Sequence, residues 1–243
     1  MRTNNYRGDY YYCYCTKCCH FEHVISEALK NGVHIETPSE FDIDLIIKLY
    51  EQGKISTSHI LIHNGYKTEA YLQKINRLKR LGFNDSIIVL DSMRELNRIL
   101  EISEGQVKIG LRLATDLHPQ SDYYTSRLGI RPAEILDFFK NKIAGNKKVD
   151  LKMLHFFVDS GIRDNLYYWG EFQKALKIFV ELKKLCPGLK ALNLGGGFPI
   201  RNNLGFEYDY KYMVNEIVRN IKETCEAEGV REPDIFTEFG KYT

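Results

Sequence analysis

A short apolar or β-branched run followed by an amphipathic stretch of helical length recurs through the 243 residues, and this alternation directs the chain to a parallel α/β fold. The runs predict strands at 11–16, 33–37, 60–63, 86–90, 107–113, 152–157, 191–194 and 234–238. Helical patterns lie between them at 21–31, 39–53, 67–81, 92–102, 132–144, 166–186 and 208–228. Eight strands with seven helices favour a closed (β/α)8 barrel over a doubly wound sheet, and about 250 residues is the usual size of such a barrel. The chain is therefore read as a single barrel domain spanning 1–243, with no eighth helix after the last strand.

Punctuation at the helix ends agrees with this division. Gly32, Gly53, Gly82, Gly145 and Gly229 each follow a periodic segment, where a left-handed residue closes a helix. Pro132 stands at a helix start, where its missing N–H costs nothing. In the segment 39–53, Phe41, Leu45, Ile46 and Leu49 fall at helical spacing and form one apolar face.

Charge and hydropathy narrow the classes of partner. Thirty-four basic residues against 32 acidic ones leave a net charge of +2, which gives no reason to expect nucleic acid or an anionic membrane. No apolar run reaches the 18 or so residues a membrane-spanning helix needs. The opening MRTNNYRGDYYYCYC lacks the order of a signal peptide, so a cytoplasmic protein acting on a small molecule is expected. Four of the six cysteines crowd into one window, Cys13, Cys15, Cys18 and Cys19, followed by His20. A disulfide framework would spread them, so reduced thiols are the better reading.

In a (β/α)8 barrel the working residues lie where strands end and βα loops begin. Three such places are unusual here. Lys17 stands just past the first strand, and an amine desolvated in a barrel mouth can lose its proton and become a nucleophile. Gly195, Gly196 and Gly197 directly follow the seventh strand. They are read either as a tight βα turn or as a turn that lets backbone N–H groups approach a phosphate. Glu238 ends the eighth strand, where a carboxylate is either buried and paired or functional.

The segments YCYCTKCCHF, HIETPSEFDI, HNGYK, KIGLRLATD, SRLGI, LHFFVDSGI, LNLGGGFP and TEFGKYT, in this order, resemble the fold-type III pyridoxal-phosphate decarboxylases. This is the ornithine/arginine/diaminopimelate group, whose barrel is alanine-racemase-like, and the biosynthetic arginine decarboxylases resemble the chain most. The resemblance implies pyridoxal phosphate as cofactor, with magnesium suggested by the resemblance alone. It implies decarboxylation of a basic amino acid, L-arginine to agmatine in polyamine biosynthesis, with ornithine, lysine or diaminopimelate as alternative substrates.

Residue by residue, Lys17 matches the lysine that carries the cofactor, the glycines 195–197 the phosphate cradle, and Glu238 the carboxylate facing the pyridine nitrogen. Arg112 matches a cofactor-side arginine, with a structural salt bridge as the competing reading. Ser160 matches a serine near the phosphate, against a plain loop serine. Glu36 matches an acidic residue near the lysine and the ring, against a salt-bridged barrel residue. His63 and Asn64 begin a βα loop at the mouth without a role that the resemblance assigns, and Arg127 reads as a loop charge.

Three departures from the family stand out. Phe157 occupies the place of a histidine that stacks on the cofactor, with His155 two residues earlier and of the same strand parity. A phenylalanine can still stack but cannot donate a hydrogen bond. The glycine-arginine that usually follows the last glutamate reads Gly240-Lys241, and a lysine meets phosphate as a point charge without a fork. The sequence also stops at Thr243, whereas the family continues into a last barrel helix and a C-terminal β domain that completes the site across a homo-oligomer interface.

Two rival readings follow. The Cys13/Cys15/Cys18/Cys19/His20 cluster has the composition of a zinc module, although C-x-C-x2-C-C has no second ligand knuckle. The other rival is an inactive fragment that binds the cofactor without turning over a substrate.

Overall fold

The computed structural model of the chain describes residues 1, 4–115, 128–158, 165–198 and 208–240. Its eight strands are β1 (Tyr10–Cys15), β2 (His34–Thr37), β3 (Leu61–His63), β4 (Ser86–Leu90), β5 (Val107–Arg112), β6 (Val149–His155), β7 (Ala191–Asn193) and β8 (Asp234–Thr237). All pair in parallel with their sequence neighbours, and β8 returns to β1 through Tyr10↔Ile235 and Tyr12↔Thr237, closing the barrel. The helices between them are α1 (Glu22–Leu29), α2 (Glu40–Glu51), α3 (Glu69–Arg80), α4 (Glu95–Ile102), α5 (Pro132–Phe138), α6 (Asn165–Leu185) and α7 (Tyr210–Ala227). The expected (β/α)8 order is thus the observed one.

Local signals explain most boundaries. Gly32, Gly53, Gly82, Gly145 and Gly229 all take positive φ, between 65° and 99°, as helix-closing residues do. Pro132 opens α5, and the Thr68 hydroxyl caps α3 by accepting the Tyr71 N–H at 3.0 Å. Two details depart from the sequence reading. The fifth helical segment changes at Phe139–Ile143 into a π-helical turn, and β6 begins three residues earlier than its apolar run, at Val149. Val149 pairs with Val107, and the register of this pair shifts between Ile109 and Gly110, so the extra residues at the start of β6 are drawn in by β5.

Alternation along the strands builds the interior in layers. Cys13, Ile62, Ile87, Val89, Met153, Ala191 and Phe236 pack together inside the barrel, apart from the larger core between strands and helices. Two residues further along each strand, the same parity delivers Cys15, Asn64, Asp91, His155, Asn193 and Glu238 to the C-terminal end. An apolar plug therefore lies beneath a polar rim, and that rim is where the site forms.

Candidate active site

A cavity of about 280 Å³ opens at the C-terminal end of the barrel, bordered by Cys15, Lys17, Asn64, Arg112, His155, Phe157, Gly196, Gly197 and Glu238, among others. Lys17 lies in a short 3-10 turn, Thr16–Cys18, which follows β1 without a break. Partial burial disfavours its charged amine, but Glu36 and then Cys15 and Glu238 outweigh that effect, and the amine is held above its ordinary value.

Of two buried carboxyls, Glu238 lines the cavity and Glu36 lies behind Cys15 and Asn64, which line it. Glu36 accepts the Cys15 thiol at 2.7 Å on Oε2 and the Asn64 amide at 3.0 Å on Oε1. Glu238 accepts the same Asn64 Nδ2 at 3.0 Å and Asn193 Nδ2 at 2.6 Å, and its Oε2 lies 3.3 Å from His155 Nε2. Burial first, and then the charge of Glu238, push Glu36 up to about 7. Burial also works against the Glu238 charge, yet His155 and the two amides outweigh it and hold this carboxyl below its ordinary value. The pair divides its protonation: Glu238 stays ionised while Glu36 titrates near neutrality.

The glycine turn is shaped by contacts that exclude any side chain. Gly195 has φ 62°, and a Cβ there would stand 2.8 Å from the Phe157 ring. A Cβ on Gly196 would stand 2.8 Å from the Glu238 carbonyl oxygen, and Gly197 has φ 94°. The Gly195 N–H is bonded to Asn193 Oδ1 at 2.8 Å, while Gly196 and Gly197 border the cavity. On the opposite side Arg112 pairs with Asp91 at 3.2 Å and lies 5.6 Å over the Phe157 ring. Arg112 is therefore salt-bridged and also borders the cavity.

Lys17, Glu36, Arg112, His155, Phe157, Gly195–Gly197 and Glu238 are brought to one rim, whereas Ser160, Lys241 and Arg127 fall outside the described residues. His63 goes elsewhere. Its ring bonds the Thr37 hydroxyl at 2.7 Å and meets Tyr71 of α3 edge-on, and burial drives it down to about 3, so it is a neutral structural residue. The cysteine cluster does not gather as one ligand set. Cys13 is in the barrel interior, Cys15 bonds Glu36, Cys18 is exposed, and His20 pairs with Asp42 at 3.2 Å. Among the described residues, no group of three or more His, Cys, Asp or Glu is placed to hold a metal ion, which disfavours the zinc reading of the Cys13/Cys15/Cys18/Cys19/His20 cluster.

Sequence reasoning missed Asn193, Lys67 and Asp91, and named Asn64 at the barrel mouth without a role. Asn64 and Asn193 bind the carboxyls, and asparagine at a strand end otherwise reads as a turn former. Lys67 is fully buried, with Nζ bonded to Gly65 O at 2.5 Å and to Val89 O, and lying 3.8 Å from Asp91 and 3.9 Å from Glu95. Asp91 in turn receives Arg112. The one available signal for Lys67 and Asp91 was their position just beyond a strand.

The donor set suits pyridoxal phosphate: an amine to carry it, an ionised carboxylate for its ring nitrogen, an aromatic face, and a turn without Cβ atoms for its phosphate. The buried His155 Nδ1 and Asn64 Oδ1, which have no partner among the described residues, leave further polar capacity at the cavity wall. Comparison with known proteins agrees. Residues 2–243 match the family described as pyridoxal-dependent decarboxylase, pyridoxal binding domain. The chain belongs to this family.

Among its relatives in the family, the biosynthetic arginine decarboxylase of Prochlorococcus marinus (strain MIT 9215) is 26% identical over 260 residues, covering 99% of this chain and 39% of the relative. The crystal structure of the biosynthetic arginine decarboxylase from Campylobacter jejuni superposes with a TM-score of 0.80 at 23% identity, covering 99% of this chain and 41% of that one. Diaminopimelate decarboxylase from M. jannaschii, solved with L-lysine, superposes with a TM-score of 0.80 at 16% identity, covering 98% of this chain and 55% of that one. These two likenesses are of fold. The chain spans about two fifths of the length of the arginine decarboxylases it matches. No helix among the described residues is long and apolar enough to cross a membrane.

Proposed function

We propose that the chain is the cofactor-binding barrel of a pyridoxal phosphate-dependent decarboxylase of a basic amino acid, arginine ahead of diaminopimelate, lysine or ornithine. The observation that carries this reading is the convergence of Lys17, Glu238 and the glycine turn on one cavity. The preference for arginine rests on the relatives, of which the first matched are arginine decarboxylases. If arginine is the substrate, the product is agmatine and the setting is polyamine biosynthesis.

When bound, pyridoxal phosphate supplies an electron sink for the bond that is broken between the α-carbon and its carboxyl group. The chain's residues do the rest. Lys17 would hold the cofactor through its amine. Glu36, titrating near neutrality beside it, accepts and returns the proton that the Lys17 amine must shed. Glu238 holds the proton on the ring nitrogen, and Asn64, Asn193 and His155 hold Glu238 in place for that task. Gly196 and Gly197 would receive the phosphate, Arg112 would balance its charge, and Phe157 would face the ring. Ser160 and Lys241 extend the phosphate site by family resemblance. Magnesium has no role in this reading, and a homo-oligomer is expected of the whole protein rather than derived from this barrel.

The test is an absorption titration of the purified chain with pyridoxal phosphate. A visible band should grow to saturation and be absent in Lys17→Ala; no band at saturating cofactor would sink the reading. Product analysis with arginine, ornithine, lysine and diaminopimelate then separates turnover from binding. A band without product would identify a barrel that binds its cofactor and needs the remainder of the whole protein to act.

A further inference from the structure

The segment Cys15-Thr16-Lys17-Cys18 places two thiols three residues apart with the proposed anchor lysine between them. Residues Thr16–Cys18 form a 3-10 turn and Cys15 is its N-cap. Both side chains reach the same point beside Gly240, where an added Cβ would lie 1.9 Å from Cys18 Sγ and 3.5 Å from Cys15 Cβ. One 3-10 turn also separates the two Cα atoms by about 6 Å, within the span a disulfide bridges. Both residues border the cavity that Lys17 enters.

Their settings differ in a useful way. Cys18 is exposed, whereas Cys15 is buried and donates its thiol proton to Glu36 Oε2 at 2.7 Å. The neighbouring cysteines are differently placed, Cys13 in the barrel interior and Cys19 against the outer core.

We propose that Cys15 and Cys18 form a reversible disulfide around Lys17 that withdraws the site from cofactor binding. This thiol switch rests on the proposed function for its consequence, though not for its chemistry. The oxidant is a low-molecular-weight disulfide. Cys18, as thiolate, attacks one sulfur of that disulfide; a mixed disulfide forms, and the small thiolate that leaves takes up the proton Cys18 lost. Cys15 then passes its proton to Glu36, the acceptor it already bonds, and its sulfur attacks that of Cys18. The second small thiolate departs and collects the proton from Glu36. In total the two cysteines lose two electrons and two protons, and the small disulfide becomes two thiols. Burial, and then the charge of Glu36, hold the Cys15 thiol far above its ordinary range, so it stays silent until Cys18 has been captured. The link removes the thiol donor from Glu36 and pins the turn that carries Lys17.

The experiment treats the full reduced chain with oxidised glutathione and maps its thiols by alkylation, trypsin and fragment mass spectrometry. Trypsin cuts after Lys17, so the expected link joins peptides 8–17 and 18–30 with the loss of two hydrogens, placed by fragmentation at Cys15 and Cys18. The link should be absent in Cys18→Ser. Oxidation should also abolish the pyridoxal phosphate band, and dithiothreitol should restore it, whereas in Cys18→Ser the band should not respond to oxidant. A link between Cys18 and Cys19, a stable glutathione adduct on Cys18, or a Cys15–Cys18 link that leaves the band unchanged would overturn the proposal. The map is read without cofactor, so a chain that forms no band at all counts against the proposed function while the thiol pairing is still decided.

Discussion

Glu36 and Glu238 receive hydrogen bonds from the same atom, Nδ2 of Asn64, at 3.0 Å each. One amide thus spans the carboxyl that titrates near neutrality and the carboxyl held ionised. Asn64→Leu removes the donor from both. The ionised partner loses more, because a hydrogen bond to a charged acceptor contributes roughly 1.5–3 kcal/mol. Glu238 should then titrate closer to its ordinary value, and the pH midpoint of the bound-cofactor band should move upward. Stability should fall by a similar amount in urea. A band whose pH midpoint matches that of the parent protein would show that Asn64 only fills space.

Glu36 gives the chain a pH dependence of definite sign. Its carboxyl titrates near 7 in the folded state, above the ordinary value of 4.5, because burial and Glu238 disfavour its charge. Between these values the folded chain holds a proton that the unfolded chain has released, so stability falls as pH rises through this window. The difference amounts to about 3 kcal/mol at most, given roughly 1.36 kcal/mol per unit. Glu238, held low, acts in the opposite sense: its contribution is present at and above the ordinary carboxylate range and is lost as pH falls below it. Glu36→Gln should flatten the profile between pH 5 and about 7.5 while leaving the loss in stronger acid, as followed by urea midpoints at each pH.

Lys67 shows what a fully buried cation holds together. Its ammonium is bonded to the carbonyls of Gly65 and Val89 and faces Asp91 and Glu95, and burial pushes it below its ordinary value. Lys67→Met keeps the volume and removes the charge, leaving two buried carboxyls with one fewer cation. Breaking a buried pair in this way costs on the order of 3–5 kcal/mol. Arg112 remains as the cation on Asp91, so its position over Phe157 should shift and cofactor affinity should drop as well. Guanidinium unfolding and a cofactor titration check the two effects separately.

The contrast between Lys17 and Lys67 shows what was legible in the sequence. Lys17 was found because it follows a strand of tyrosines and cysteines and because its segment resembles a family motif. Lys67 also follows a strand, four residues past its end, yet its surroundings, HNGYK, read as an ordinary polar loop. Burial there comes from Val89, Asp91 and Glu95, some 22 to 28 residues away, which no local pattern displays. The strands and helices were legible because their periods, and glycines such as Gly82 and Gly229, are local features. The π-helical turn at Phe139–Ile143 was not, since its apolar spacing differs little from that of an α-helix. Asn193 illustrates the same limit at the site, because its partner Glu238 lies on the next strand, 45 residues on.

Gly196 offers the sharpest test of how the site is built. Its added Cβ would meet the carbonyl oxygen of Glu238 at 2.8 Å, and both atoms belong to backbone, so neither can swing aside as a side chain would. Gly196→Ala must therefore push the turn away from β8 or displace Glu238. The Glu238 N–H donates to Gly195 O at 2.8 Å and its carboxylate is held by Asn193, so displacement loosens the turn and the carboxylate together. Overpacking of this kind costs roughly 1–3 kcal/mol in stability. Cofactor affinity should fall further, by about a hundredfold, because a shift near 1 Å in a positioned group is enough for that. Gly229→Ala makes a suitable control. Gly229 also has positive φ, 65°, but nothing lies within 4 Å of its added Cβ, so the chain should lose stability through backbone strain alone and keep its cofactor affinity. Parallel cofactor titrations and unfolding curves of the two variants distinguish a glycine required by the site from one required by a helix end.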